Sequence, residues 1–181
     1  MEATRLICIG DSITWGFPYG PDYSWVRISA EAVGQAMINR GINGDTAADL
    51  LARFNRDVVA HDPSHVFIMA GTNDAAIGLP LASYQDKILK MHASALGNGI
   101  CPAVGLPIPS DEKFLEHTLE KYRLWLKDFA SQNRIAAVDF APAMLLQDGC
   151  INRECYLDDV HPSKIGYRKM AGVFTNFCKK L

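Results

Sequence analysis

The feature that most restricts the fold of this chain is a change of period that recurs along its length. Short apolar runs at Leu6 to Ile9, Ala36 to Ile38, Val66 to Ala70, Cys101 to Val104 and Ile135 to Val138 alternate with longer segments of helical spacing. Runs this short and this apolar suit strands whose sheet is covered on both faces. The second is ambiguous, because Ala36-Met37-Ile38 can equally extend the preceding helix. Between the runs, Leu50, Phe54 and Val58 recur every four residues behind Thr46 and Asp49, which read as an N-cap and its reciprocating acid. Tyr84, Ile88, Met91 and Ala95 form the next stripe, with Gly97 as its expected terminator. Leu115, Leu119, Tyr122, Leu126 and Phe129 make a third. Tyr167, Met170, Phe174, Phe177 and Leu181 make a fourth, started by Pro162-Ser163. The Met and aromatic members of these stripes are expected in the core.

Strand and helix alternating in this way predict an α/β fold, a three-layer αβα sandwich around a parallel sheet. Right-handed crossovers place every strand-to-helix loop at one edge of that sheet. Ligands bind beyond the carboxyl ends of the strands in such folds, so chemistry is expected from the residues that follow each strand.

Composition narrows the partners. A length of 181 residues predicts one domain over 1–181. A chain of that size buries about 70% of its unfolded surface, so it needs neither disulfides nor metal to fold. With 49% hydrophobic and 21% charged residues it is neither a disordered tail nor a coiled coil. Its 18 Lys and Arg against 20 Asp and Glu give a net charge of −2, without the basic field of a nucleic-acid binder. Lys179 and Lys180 are expected to be the solvated end of the last helix. The longest apolar runs fall far short of the ~20 residues of a membrane span. Met1-Glu2-Ala3-Thr4-Arg5 does not read as the start of a secretory leader.

Five cysteines are scattered along the chain. Cys8, Cys101 and Cys178 are expected as buried, reduced thiols. Cys150 and Cys155 share a loop with His161, but their spacing fits no standard zinc pattern, so no metal is expected. A reducing cytoplasm is the simplest compartment for such a set.

The first strand is followed by Gly10-Asp11-Ser12-Ile13-Thr14-Trp15-Gly16. Ser12 is placed to expose its hydroxyl at the sheet edge, although a serine there is also a common helix cap. The segment is neither a phosphate loop nor the Gly-x-Ser-x-Gly elbow of α/β-hydrolases. The second strand leads to Asn39-Arg40-Gly41-Ile42-Asn43-Gly44-Asp45-Thr46, whose glycines can free backbone N–H groups for an anion or simply make a turn. The third leads to Gly71-Thr72-Asn73-Asp74, where the Asn73 amide can donate to an oxyanion or brace a turn. Near the C-terminus stands Asp158-Asp159-Val160-His161-Pro162. Residues three apart on one turn face the same way, so Asp158 can reach one imidazole nitrogen and leave the other for a serine. Alone, His161 reads equally as a surface loop histidine.

Taken in order, these blocks resemble the SGNH hydrolase superfamily, the GDSL-type esterases and lipases. The resemblance is carried by Gly10-Asp11-Ser12-Ile13-Thr14, Asn39-x-Gly41-x-x-Gly44-x-Thr46, Gly71-Thr72-Asn73-Asp74 and Asp158-x-x-His161-Pro162. It implies a flavodoxin-like, five-stranded parallel sheet. It further implies that Ser12 attacks an ester carbonyl, that His161 is general base and acid, and that Asp158 orients the imidazole. The implied oxyanion hole is the N–H of Ser12, the N–H of Gly44 and the side-chain amide of Asn73. Asp11, Thr14, Asp45 and Asp74 are then loop braces, and Asp159 is solvated. Such chemistry uses no cofactor and no metal.

A ligand-binding module that has lost turnover is the competing class, against which the intact Ser12, Asn73, Asp158 and His161 weigh. A nucleotide or flavin binder is disfavoured by the missing glycine fingerprint. For substrate, the aromatic loop from Trp15 to Tyr23 suits a sugar ring or aryl group, or else packs on the sheet edge. Leu106-Pro107-Ile108-Pro109 is read as an apolar wall. With no long lid insertion, small soluble short-acyl esters are favoured over thioesters and lysophospholipids.

Overall fold

The computed structural model describes residues 5–181. The reading made at Met1 to Thr4 lies outside the described residues. In chain order the elements are β1 (Leu6–Gly10), α1 (Ser12–Trp15), α2 (Trp25–Val33), β2 (Met37–Gly41), α3 (Ala47–Asp57), β3 (His65–Met69) and α4 (Thr72–Ala76). There follow α5 (Leu81–Gly97), β4 (Cys101–Gly105), α6 (Lys113–Asn133), β5 (Ala136–Val138), α7 (Ala141–Met144) and α8 (Lys164–Cys178). The five strands form one parallel sheet in the order β2-β1-β3-β4-β5. That is the flavodoxin-like arrangement, with its reversal of direction between β1 and β3.

The pleat of β1 sorts its side chains between two cores. Ile7 and Ile9 join Val66, Ile68 and the stripes of α3, α5 and α6 on one face. Leu6 and Cys8 join Phe67, Met69 and residues of α2, α7 and α8 on the other. The second core is an aromatic cluster in which Phe174 stands 4.6 Å from Trp25 and 4.7 Å from Phe67, ring to ring, with both pairs edge-on. Both faces are covered, which is why the central strands are apolar throughout.

The edges read less clearly in sequence for the same reason. β2 runs Met37–Gly41, not 36–38, and its Asn39 and Arg40 are polar because one side of an edge strand meets solvent. Cys101 is exposed, contrary to expectation. It opens β4 two residues before the pairing with β5 begins at Ala103, so that flank is open. Helix α5 runs through Gly97, and the left-handed position falls at Gly99 (φ +73°). There the Gly99 N–H reaches the Leu96 carbonyl at 3.1 Å. Leu181 is also exposed, because α8 stops at Cys178 and leaves it beyond the helical stripe. Leu106 and Ile108 are buried, one in each core, so they do not form a wall open to a ligand.

Candidate active site

The expected site residues all lie at or beyond the C-terminal edge of the sheet. β1 ends at Gly10, Asp11 caps α1 by accepting the Ile13 N–H at 2.9 Å, and Ser12 is the first helical residue. A serine at that position has its N–H left over from the helix ladder. Neither the Ser12 nor the Gly44 N–H meets a protein acceptor among the described residues. The close approach of α1 to β2 depends on Gly41, since a Cβ there would overlap the Trp15 backbone.

Ser12 Oγ lies 3.1 Å from His161 Nε2, and His161 Nδ1 lies 2.9 Å from Asp158 Oδ2. The other Asp158 oxygen accepts the backbone N–H groups of Val160 at 2.8 Å and His161 at 2.6 Å. Partial burial pushes the Asp158 carboxyl up, but these bonds, with the imidazole, hold it below its ordinary value. One carboxylate thus shapes the loop with one oxygen and holds the imidazole with the other.

Asn73 donates from Nδ2 to the Asp45 carbonyl at 2.9 Å, which joins the third block to the second and leaves its other amide hydrogen free for a ligand. Asp74 accepts the Ala47 N–H at the start of α3 through both oxygens, at 3.0 and 3.2 Å. The turn leading to Asn73 is fixed by Gly71 (φ +124°), which lies against Tyr84, Tyr122 and Pro107. Those tyrosines stack at 4.2 Å and 2° and donate to the Ala70 and Leu79 carbonyls.

Asp11 and Asp74 are both buried. Burial, with Asp74 adding to it, pushes the Asp11 carboxyl up to about 7 against the pull of the Ile13 N–H. Thr14 Oγ1 has no hydrogen-bond partner, so its hydroxyl braces nothing. Asp159 is exposed as expected, but it pairs with Arg153 at 3.1 Å.

Two groups at the site hold places that the sequence did not assign them. Arg53 is buried and donates to Asp45 Oδ2 at 2.7 Å, Asp57 Oδ2 at 2.9 Å and the Gly10 carbonyl at 2.9 Å. It ties the end of β1 to the loop that carries Gly44. In sequence it looks like an ordinary helix-surface arginine paired with Asp57 at i+4. The Phe17 ring lies 4.6 Å from the His161 ring, tilted by 48°. Cys150 is exposed and Cys155 is buried beneath Ala143, so the two do not face a common point. Among the described residues no three His, Cys, Asp or Glu side chains gather as a metal set, and no helix is long and apolar enough to cross a membrane.

Residues 8–169 match the GDSL-like Lipase/Acylhydrolase family. The chain is 34% identical over 130 residues to the lipoprotein YqeF of Bacillus subtilis, covering 65% of this chain and 54% of that protein. It therefore spans about half the length of that relative. It is 27% identical over 169 residues to the esterase TesA of Pseudomonas aeruginosa, covering 89% of this chain and 81% of TesA. A solved structure from Desulfitobacterium hafniense DCB-2, assigned to the G-D-S-L lipolytic family, superposes with a TM-score of 0.90 at 31% identity. That match covers 96% of this chain and 98% of the other.

Proposed function

The chain belongs to the GDSL-like lipase/acylhydrolase family, a family of hydrolases, and on that premise we propose that it cleaves small carboxylic esters through an acyl-enzyme on Ser12. The observation that carries this reading is the run of hydrogen bonds from Ser12 Oγ to His161 at 3.1 Å and from His161 to Asp158 at 2.9 Å. Ser12 Oγ forms a bond to the ester carbonyl carbon while His161 Nε2 takes its proton. The carbonyl oxygen becomes an oxyanion, held by the N–H groups of Ser12 and Gly44 and by Asn73 Nδ2. As the tetrahedral intermediate collapses, the ester C–O bond breaks and His161 returns the proton to the departing alcohol oxygen. Water, deprotonated by His161, then releases the acid. Asp158 keeps Nδ1 protonated and stabilises the imidazolium throughout. The scheme consumes ester and water and calls for no cofactor.

Residues 1–181 act as a single catalytic domain in this reading, since all its groups come from one sheet edge. Small, soluble, short-acyl esters are the proposed substrates, supported by the burial of Leu106 and Ile108 in the two cores, where neither is open to a long acyl chain. A cytoplasmic location is proposed on the strength of five free thiols. A serine-directed fluorophosphonate should label the wild type and not Ser12→Ala, and p-nitrophenyl acetate hydrolysis should vanish with the label. Turnover of the unlabelled variant at the wild-type rate overturns the reading. A rate that climbs with acyl length from acetate to decanoate overturns the short-acyl assignment alone.

A further inference from the structure

We infer that Phe17 is a positioning residue for His161, packing against the imidazole at a tilt and stabilising it as it takes on charge. This rests on the reading of His161 as the base. Asp158 at Nδ1 and Ser12 at Nε2 both bond in the plane of the ring. Neither contact stops the ring from rocking out of that plane. His161 sits on an irregular segment, and its side chain is 24% exposed against 49% for Asp158, so neither is fully enclosed. The Phe17 ring, 4.6 Å away, is the aromatic surface against that imidazole.

Phe17 is itself held on several sides. Its N–H donates to the Ser12 carbonyl at 3.0 Å, and its own carbonyl accepts the Tyr167 hydroxyl at 2.9 Å. Farther along the same loop, Tyr19 meets Tyr167 edge-on at 6.4 Å. The Lys164 ammonium lies 5.2 Å from the Tyr19 ring and 4.5 Å from the Tyr23 ring. Lys164 opens α8, three residues past His161. One loop therefore connects the nucleophile, the base and the helix that follows the base.

The chemistry gives Phe17 more than a space-filling part. An aromatic face attracts a cation and has much less hold on a neutral ring. His161 is neutral when the ester binds and cationic at the transition state. The Phe17 contact therefore strengthens where the barrier is, and it should raise kcat without changing KM. A ring that only filled space would be replaced without loss by an aliphatic side chain of similar bulk.

The test compares Phe17→Leu with Phe17→Tyr on p-nitrophenyl acetate, with Phe17→Met as a second aliphatic replacement should leucine fit poorly. The aliphatic variants should lose about tenfold in kcat, with KM and Tm close to wild type. Phe17→Tyr should stay within about twofold of wild type. The rate of fluorophosphonate labelling at Ser12 should fall in step with kcat. Wild-type kcat in a folded aliphatic variant overturns the inference, and so does a loss confined to KM, which would mean that the ring touches substrate instead. Ser12→Ala separates the two levels of the argument. If Ser12→Ala stays active, the esterase reading fails; if it is silent while Phe17→Leu turns over like wild type, only the role of Phe17 fails.

Discussion

Ser12 and His161 meet across 3.1 Å but reach that point by opposite means. Ser12 stands where a buried central strand turns into a helix, with Asp11 capping below it and Arg53 holding the Gly10 carbonyl behind. Only 7% of it is exposed. His161 comes from a loop with little regular structure, between the turn at Arg153–Cys155 and α8. That loop is held by ties to its neighbours. Ser110 Oγ donates to the Asp159 carbonyl at 2.8 Å, Tyr156 OH donates to the Pro109 carbonyl at 2.5 Å, and Arg153 pairs with Asp111 and Asp159. One half of the site is thus fixed by the sheet itself, and the other by side chains that strap a loop to it. Substitutions of the reacting side chains themselves should act through chemistry, and those of the straps that hold the loop through geometry.

The largest expected effect is at the two reacting side chains, one from each half. Ser12→Ala should lower kcat by about 10⁴ or more, and His161→Ala should do the same. Ser12→Ala should leave Tm within about two degrees, because the framework around Ser12 does not use its hydroxyl. A Tm drop of ten degrees by calorimetry would show that the hydroxyl is part of the framework after all.

Asn73 belongs to both halves of the comparison, since its amide already braces the Asp45 carbonyl. Asn73→Ala should lower kcat by roughly 10²–10³ with KM little changed, because the oxyanion exists only in the transition state. The lost brace should add a modest fall in Tm. A lower Tm with kcat within about threefold of wild type would leave Asn73 as a brace alone.

On the loop side, Ser110→Ala removes a tie that is remote from the reacting atoms. It should cost a few-fold in kcat and about 1 kcal/mol of stability, or roughly 2–4 °C in Tm. No change in either quantity would mean that the loop holds its shape without that tie.

The smallest effect concerns pH. The Asp11 carboxyl titrates near 7 in the folded protein, against 3.8 for an ordinary aspartate, because it is buried. Between those values the native state binds more protons than the unfolded chain, so this group's contribution to stability falls as pH rises from about 4 to about 7 and is gone above that. Asp11→Asn keeps the N-cap acceptor and cannot ionise. It should therefore raise Tm by a few degrees at pH 8 and hardly at all at pH 4. Equal shifts at the two pH values would remove Asp11 as the source of the slope.

Legibility in the sequence followed burial and locality. The stripes of α3, α5 and α6 were readable because each buried face repeats at helical period and sits on a two-faced sheet. The Thr46–Asp49 capping box was readable because its two hydrogen bonds span three residues. At β2 the pattern weakened because an edge strand needs only one flank protected, and Cys101 was misplaced because β4 pairs with β5 only from Ala103 onward. Leu106 and Ile108 were misread because an apolar loop looks the same whether it faces a ligand or a core.

The sequence by itself determined the parallel sheet, the edge at which chemistry collects, and the candidate residues at that edge. These follow from periodicity and from short motifs whose physics is local. Tertiary structure alone decided that Phe17 faces His161, that Arg53 joins Gly10 to Asp45, and that Ser110 straps the loop beside Asp158. Apart from Arg53 and Asp45, which are close in the chain, those contacts join residues far apart in it, and no periodicity links one partner to the other. They exist because the crossovers bring separate strand ends to one edge, where the leftover hydrogen-bonding groups of each loop must find partners in the others.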